Sequence, residues 1–222
     1  RLARRYGGRL LRLSEGQALR LTRTAHPLLW WALPEDQIVR NDLDLPEPAQ
    51  ALLMSGPNTG GKTVFLKTLG FAALCSRTGF PFPGGLDLEI PFFDRIFVDL
   101  GDPQSITENL SSFSGHIWML KEILDTCTSK SLILLDELNT ATDPEEGAAL
   151  ARALIETVLE KGAFLAATTH DPRLKALAFS DPRFLNASMD FNEANSTPSY
   201  LLTLGIPGRS RALETARRLG LG

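Results

Sequence analysis

Apolar residues along this chain follow two rhythms, and the change from one to the other divides it. Between Arg9 and Arg23 apolar and polar residues alternate about Ser14-Glu15-Gly16, the period-two pattern of two strands joined by a tight turn. From Ala51 onward short unbroken apolar runs alternate with segments of helical period, as expected of a mostly parallel sheet covered by helices. Ala51-Leu52-Leu53-Met54, Arg95 to Asp99, Leu132-Ile133-Leu134-Leu135 and Ala163 to Thr169 read as strands, the third of them buried by its continuous apolarity. Val64 to Cys75 and Ser111 to Cys127 read as helices, the second with one buried stripe of Ile117, Leu120, Leu124 and Cys127. Asp143-Pro144-Glu145-Glu146 starts another helix with an N-cap aspartate, a proline at the first helical position and acids in the first turn, and Gly162 closes it. Phe80-Pro81-Phe82-Pro83-Gly84-Gly85 is a breaker cluster and reads as loop. The pattern predicts an α/β chain with an antiparallel β-rich portion over 1–45 and a core over 46–222.

The chemistry sits at the ends of the apolar runs. Directly after the first run, Gly56-Pro57-Asn58-Thr59-Gly60-Gly61-Lys62-Thr63 fits the pattern G-x-x-x-x-G-K-[ST] and leads into the helix that includes Val64. Glycines let the backbone curl so that successive N–H groups point at phosphate oxygens, and the helix adds its positive end. In such a loop Lys62 supplies a mobile charge for the β- and γ-phosphates, and the Thr63 hydroxyl is placed to ligate Mg²⁺. The second signal is Asp136-Glu137, at the tip of the run Leu132 to Leu135. A carboxylate there can hold the Mg²⁺ shell and its neighbour can polarise a water, so Asp136 is assigned to the metal and Glu137 to the water. His170 ends the next strand, where an imidazole could reach the γ-phosphate; as an isolated histidine it is equally a satisfied loop residue.

Composition narrows the setting. The chain has 222 residues, 43% of them hydrophobic, enough to bury a sizeable core. A net charge of −3 gives no overall drive toward nucleic acid. The basic residues Arg1, Arg4, Arg5, Arg9, Arg12, Arg20 and Arg23 share their segment with Glu15 alone; they read as a solvated strand face or a surface exposed by truncation, with nucleic-acid contact as the alternative. Cys75 and Cys127 lack metal-ligand spacing and read as buried free thiols, which suits a reducing cytosol. No apolar run is long enough to cross a membrane, and a start at Arg1 suggests a piece of something longer.

The order of phosphate loop, long insertion, Ser-rich helix start, Asp-Glu pair, Asp143 cap and His170 resembles the ATP-binding-cassette superfamily. No base-reading Asn-Lys-x-Asp follows the strand, as a GTPase would require. Within the superfamily, residues 56–63, Asn109-Leu110-Ser111-Ser112-Phe113-Ser114-Gly115-His116, Asp136-Glu137-Leu138, Thr142-Asp143-Pro144 and Thr168-Thr169-His170 are similar to the MutS family of DNA-repair ATPases. His26-Pro27-Leu28-Leu29, Gly101-Asp102-Pro103-Gln104-Ser105 and Ile206-Pro207-Gly208-Arg209-Ser210 look like signatures of its bacterial MutS-two branch.

This resemblance implies a bacterial cytoplasmic ATPase domain, with ATP and Mg²⁺ as its ligands, that works as a homodimer sandwiching the nucleotide. It implies that Ser111 is offered in trans to the partner's γ-phosphate, that Gln104 belongs to a loop sensing metal and nucleotide, and that the base packs near Ile38. It also implies DNA contacts made by arms, and a C-terminal nuclease domain, that these residues do not include; a role at the ribosome fits the same head. The sequence departs from the family in the loop after the acidic pair, where Asn139-Thr140-Ala141 replace the usual glycines. Trp30 and Trp31 are nearby candidates for base contact, with a core or interface role as the plainer reading. Two other functions fit the motifs: another cassette-type chromosome or break-repair ATPase, and a nucleotide-gated switch with negligible hydrolysis. The first usually needs a coiled-coil insertion, and no sustained heptads occur.

Overall fold

The structure, a computed structural model, describes residues 6–100, 109–138, 144–192 and 197–206. In chain order its strands are β1 (Arg12–Leu13), β2 (Leu19–Thr24), β3 (Asn41–Leu45), β4 (Ala51–Ser55), β5 (Leu88–Ile90), β6 (Arg95–Asp99), β7 (Ser131–Leu135), β8 (Phe164–Thr168), β9 (Phe184–Asn192) and β10 (Thr197–Leu204). The α-helices are α1 (Leu29–Ala32), α2 (Lys62–Thr78), α3 (Asn109–Thr126), α4 (Pro144–Glu160) and α5 (Pro172–Ala176). Among the described residues no helix is long and apolar enough to cross a membrane.

Six strands form the central sheet in the order β10-β9-β4-β8-β7-β6. From β9 to β6 all are parallel, and β10 adds antiparallel to the β9 edge. Strands β4, β7 and β8 are buried along their whole length, because helices cover both faces. Successive side chains point to opposite faces. Leu52, Met54, Leu132, Leu134 and Ala166 therefore face α2 and the N-terminal sheet, while Ala51, Leu53, Ile133, Leu135, Leu165 and Ala167 face α3 and α4. A fully buried Leu53 or Ile133 contributes about 1.5–3 kcal/mol through burial alone.

The predicted strands and helices are present, with two differences. The α3 stripe is centred on Ile123, fully buried, whereas Ile117 and Leu124 are only partly buried. The predicted hairpin around Ser14-Glu15-Gly16 does not form. The N-terminal sheet has the order β1-β5-β2-β3, so β5 lies between the two strands the alternation would have paired. β5 runs parallel to β1 and antiparallel to β2, bringing a strand from beyond α2 into a sheet expected to end at residue 45. This arrangement also supplies acids to the basic segment, pairing Arg12 with Glu89 at 3.7 Å and Arg20 with Asp44 at 3.3 Å.

Cys75 and Cys127 are free and buried, and burial pushes the Cys75 thiol up to about 12. Trp30 is buried against Tyr6 with the Arg40 guanidinium 5.8 Å from its ring centre, whereas Trp31 is exposed. Trp30 is thus a core residue, as the plainer reading had it.

Candidate active site

Strand β4 delivers the chain to the glycine loop, and the backbone there does what the sequence pattern requires. Gly56 has φ +126°, and a Cβ at that position would lie 2.9 Å from the Met189 carbonyl oxygen, so only glycine lets the loop pass β9. Gly61, at φ +96°, starts α2 without any side-chain cap. With glycine at the cap, no side chain there accepts from the first-turn N–H groups of α2, and such a helix start can receive an anion. Lys62 is almost fully buried under the loop and donates to the Gly56 carbonyl at 2.6 Å and to Asn58 Oδ1 at 3.2 Å. Burial lowers its pKa, an effect opposed by the charges of Asp136 and Glu137.

The acidic pair stands at the tip of β7, held by two threonines. Thr63 Oγ1, in the first turn of α2, donates to Asp136 Oδ2 at 2.5 Å. Thr168 Oγ1, at the tip of β8, donates to Asp136 Oδ1 at 2.5 Å and accepts the Glu137 N–H at 2.8 Å. The Asp136 N–H is in turn fixed to the Asp99 carbonyl of β6 at 2.7 Å. Glu137 is exposed, with a left-handed backbone at φ +57°, uncommon for a non-glycine residue. Such outliers concentrate where surrounding structure holds a functional side chain in place. His170 Nε2 lies 3.0 Å from Asn58 Oδ1 of the loop. Partial desolvation and then the Lys62 charge lower its pKa below the ordinary imidazole value.

The structure therefore brings Gly56, Asn58, Gly61, Lys62, Thr63, Asp136, Glu137 and His170 to one end of the parallel strands. Pro57, Thr59 and Gly60 complete the loop, with Gly60 packed on Met189. Thr168 stands in the motif Thr168-Thr169-His170, but sequence reasoning gave it no role in the site. Its signal was faint: a hydroxyl at the end of a strand that the register sets beside β7.

Next to the loop is a cavity of about 620 Å³ between α2, β3, α1 and β10. Val39, Val64, Phe65, Gly61, His26 and Tyr200 are among its walls. Ile38, expected near the base, is not: it is buried in a cluster with Tyr6, Ala25 and Trp30. In its extended backbone successive side chains point to opposite sides, so with Ile38 turned into that cluster both its neighbours, Gln37 and Val39, line the cavity. Ser111 falls in the first turn of α3, which starts at Asn109. Gln104, Asn139, Thr140, Ala141 and Asp143, and the segment after Ile206, lie outside the described residues.

A buried lysine, an uncapped helix start and a hydroxyl-held carboxylate gathered at the strand tips of an α/β sheet define a class of site suited to a polyanion and a hard cation. The chain belongs to the MutS family: the family model described as MutS domain V matches residues 52–221. It is 46% identical over 209 residues to the "Endonuclease MutS2" of Listeria monocytogenes and to that of Ligilactobacillus salivarius. In each case this covers 94% of the chain and 26% of the relative. The protein of the same name from Bacillus velezensis is 44% identical over 203 residues, covering 91% of the chain and 25% of the relative. These likenesses support the MutS2 branch, and the chain spans about a quarter of the length of the relatives it matches.

Proposed function

We propose that this chain is the ATP-binding and ATP-hydrolysing domain of a MutS-type protein, a phosphate-loop NTPase of the ATP-binding-cassette type. The observation that carries the reading is the junction of Thr63, Asp136 and Thr168, which ties the glycine loop to two strand tips. A Thr hydroxyl and a carboxylate already in contact beside a buried lysine form the donor set that Mg²⁺ and a triphosphate require. Thr63 and Asp136 would hold the ion, which would supply positive charge to offset that of the phosphates.

The chain's own groups then divide the work. Loop N–H groups and Lys62 hold the phosphates, Lys62 exchanging its contacts with Gly56 and Asn58 for phosphate oxygens. Glu137 takes a proton from the attacking water as the water oxygen bonds to the γ-phosphorus and the bond to the β-bridging oxygen breaks, releasing ADP. His170 reaches the γ-phosphate from the loop side. The base occupies the apolar cavity, between Val39 and Val64 on one side and Tyr200 on another.

In the same reading two copies close around ATP, with Ser111 of each facing the nucleotide of the other, and the nucleotide state passes to DNA-binding arms elsewhere in a longer protein. The names of the relatives support a DNA-processing setting, and a ribosomal one would use the same head. Calorimetric titration with ATP and Mg²⁺ tests the core of the proposal. The unmodified protein should bind and Lys62→Ala should lose nearly all affinity, because backbone dipoles alone then face the phosphate charge. Equal affinity in the two proteins would remove the site. Phosphate release, measured alongside, separates an ATPase from a switch that binds without hydrolysis.

A further inference from the structure

Tyr200, in the wall of the cavity, carries a backbone conformation it would not choose. Its φ is +58°, and the pairing of β10 with β9 shifts register between Pro198 and Leu202, so the strand bulges at the tyrosine. One side chain from the other sheet holds the bulge. Asn41 Nδ2 donates to the Tyr200 carbonyl at 3.0 Å, and the Leu202 N–H donates to Asn41 Oδ1 at 2.7 Å. A primary amide presents donor and acceptor side by side, so Asn41 pairs with the bulge as a neighbouring strand would. Asn41 is itself anchored at the start of β3, where its carbonyl accepts the Thr24 hydroxyl at 3.0 Å.

The consequence falls on the ring. A Cβ built on Gly61 would lie 3.3 Å from Tyr200 Cδ1, so the ring edge stands directly over the end of the glycine loop. The tyrosine is still 48% exposed, which leaves ring surface free to meet a ligand. The Asn41 amide lines the cavity and uses one donor and one acceptor on the β10 backbone, so its orientation is tied to the bulge.

We propose that Asn41 is a positioning residue for nucleotide binding: it pins the strained bulge so that Tyr200 forms an aromatic wall against the base. This rests on the nucleotide reading above. It makes affinity for the base depend on an amide that acts through the β10 backbone, while affinity for the phosphates does not.

The test compares ATP with Mg²⁺-tripolyphosphate, which carries the phosphates and no base, by calorimetry on the full chain. Asn41→Ala should weaken ATP about 5- to 100-fold, the range expected for losing base–aromatic stacking, and change tripolyphosphate affinity by less than about twofold. Tyr200→Ala should lose the same factor, the double variant should lose no more than either single one, and Tyr200→Phe should retain ATP affinity. Asn41→Asp, which keeps the acceptor for Leu202 and loses the donor, should fall between and guards against misfolding of the alanine variant. Equal weakening of both ligands, or unchanged ATP affinity, would overturn the role given to Asn41. If the unmodified protein bound neither ligand, the nucleotide reading would fall, and this inference with it.

Discussion

The hydroxyl of Thr63 and the carboxylate of Asp136 are 73 residues apart and meet at 2.5 Å. With Thr168 donating to the other carboxylate oxygen, Asp136 is gripped from the helix on one side and from β8 on the other. Thr63 and Asp136 would hold a divalent ion without parting, because a hydroxyl can offer an oxygen lone pair to the ion while its O–H still donates to the carboxylate. The hydrogen bond from Thr168 to the other carboxylate oxygen would keep the acid oriented.

Thr168→Val should expose this directly. The substitution removes the donor to Asp136 and leaves the Glu137 N–H without its acceptor, at a cost of about 1–3 kcal/mol in denaturant unfolding. Hydrolysis should fall about 10- to 100-fold through misplacement of the acidic pair, while ATP affinity, set by the loop, changes little. A variant with normal turnover would show that Glu137 needs no such support.

Glu137→Gln should retain ATP and Mg²⁺ but reduce phosphate release by about 10²- to 10⁴-fold, the usual effect of removing a general base. Size-exclusion chromatography with ATP should then find a larger fraction of dimer than in the unmodified protein. Unchanged turnover would shift water activation to His170.

Two inactive variants, Lys62→Ala and Ser111→Arg, should recover part of the activity when mixed at high concentration with ATP. In the mixed dimer one site has an intact Lys62 facing an intact Ser111, and high concentration offsets weak association. No recovery in dimers shown to be mixed would confine Ser111 to its own chain.

Acid should weaken the fold in a window the two site histidines set. His26 and His170 both have lowered pKa values, the first mainly by burial and then by Lys67, the second mainly by burial and then by Lys62. The unfolded chain, with imidazoles at about 6.5, binds protons that the folded one resists. Stability should therefore be full above that value and decline as pH falls through it toward the folded values. Chemical unfolding from pH 7.5 to 5.5 should show this slope, and Asn substitutions at both positions should flatten it.

Much of the site was legible because its chemistry is local. Lys62 and Thr63 are adjacent in one loop, and Asp136 and Glu137 end a run of aliphatics. What was hidden depends on how distant segments are brought together. Thr168 matters because the β4–β8–β7 register brings its hydroxyl to Asp136. Ile38 lies in a buried cluster while the adjacent Val39 lines the cavity, because a step of one residue turns a side chain to the other face of an extended segment. The N-terminal hairpin failed because β5, three residues between breakers, carries too short a pattern to announce that it would intervene.

That intervening strand sets the order in which the protein can come into being. While the chain emerges from the N-terminus, β1 and β2 exist long before Leu88 does, and the place between them stays vacant until β4, the glycine loop and α2 have all been made. A fragment ending near residue 45 is thus a sheet without its middle, and a cut placed there to isolate an N-terminal module would divide the β1-β5-β2-β3 sheet. The walls of the cavity come from both sides of that cut, Asn41 from before it and Tyr200 from far beyond. The pocket and the fold are completed together.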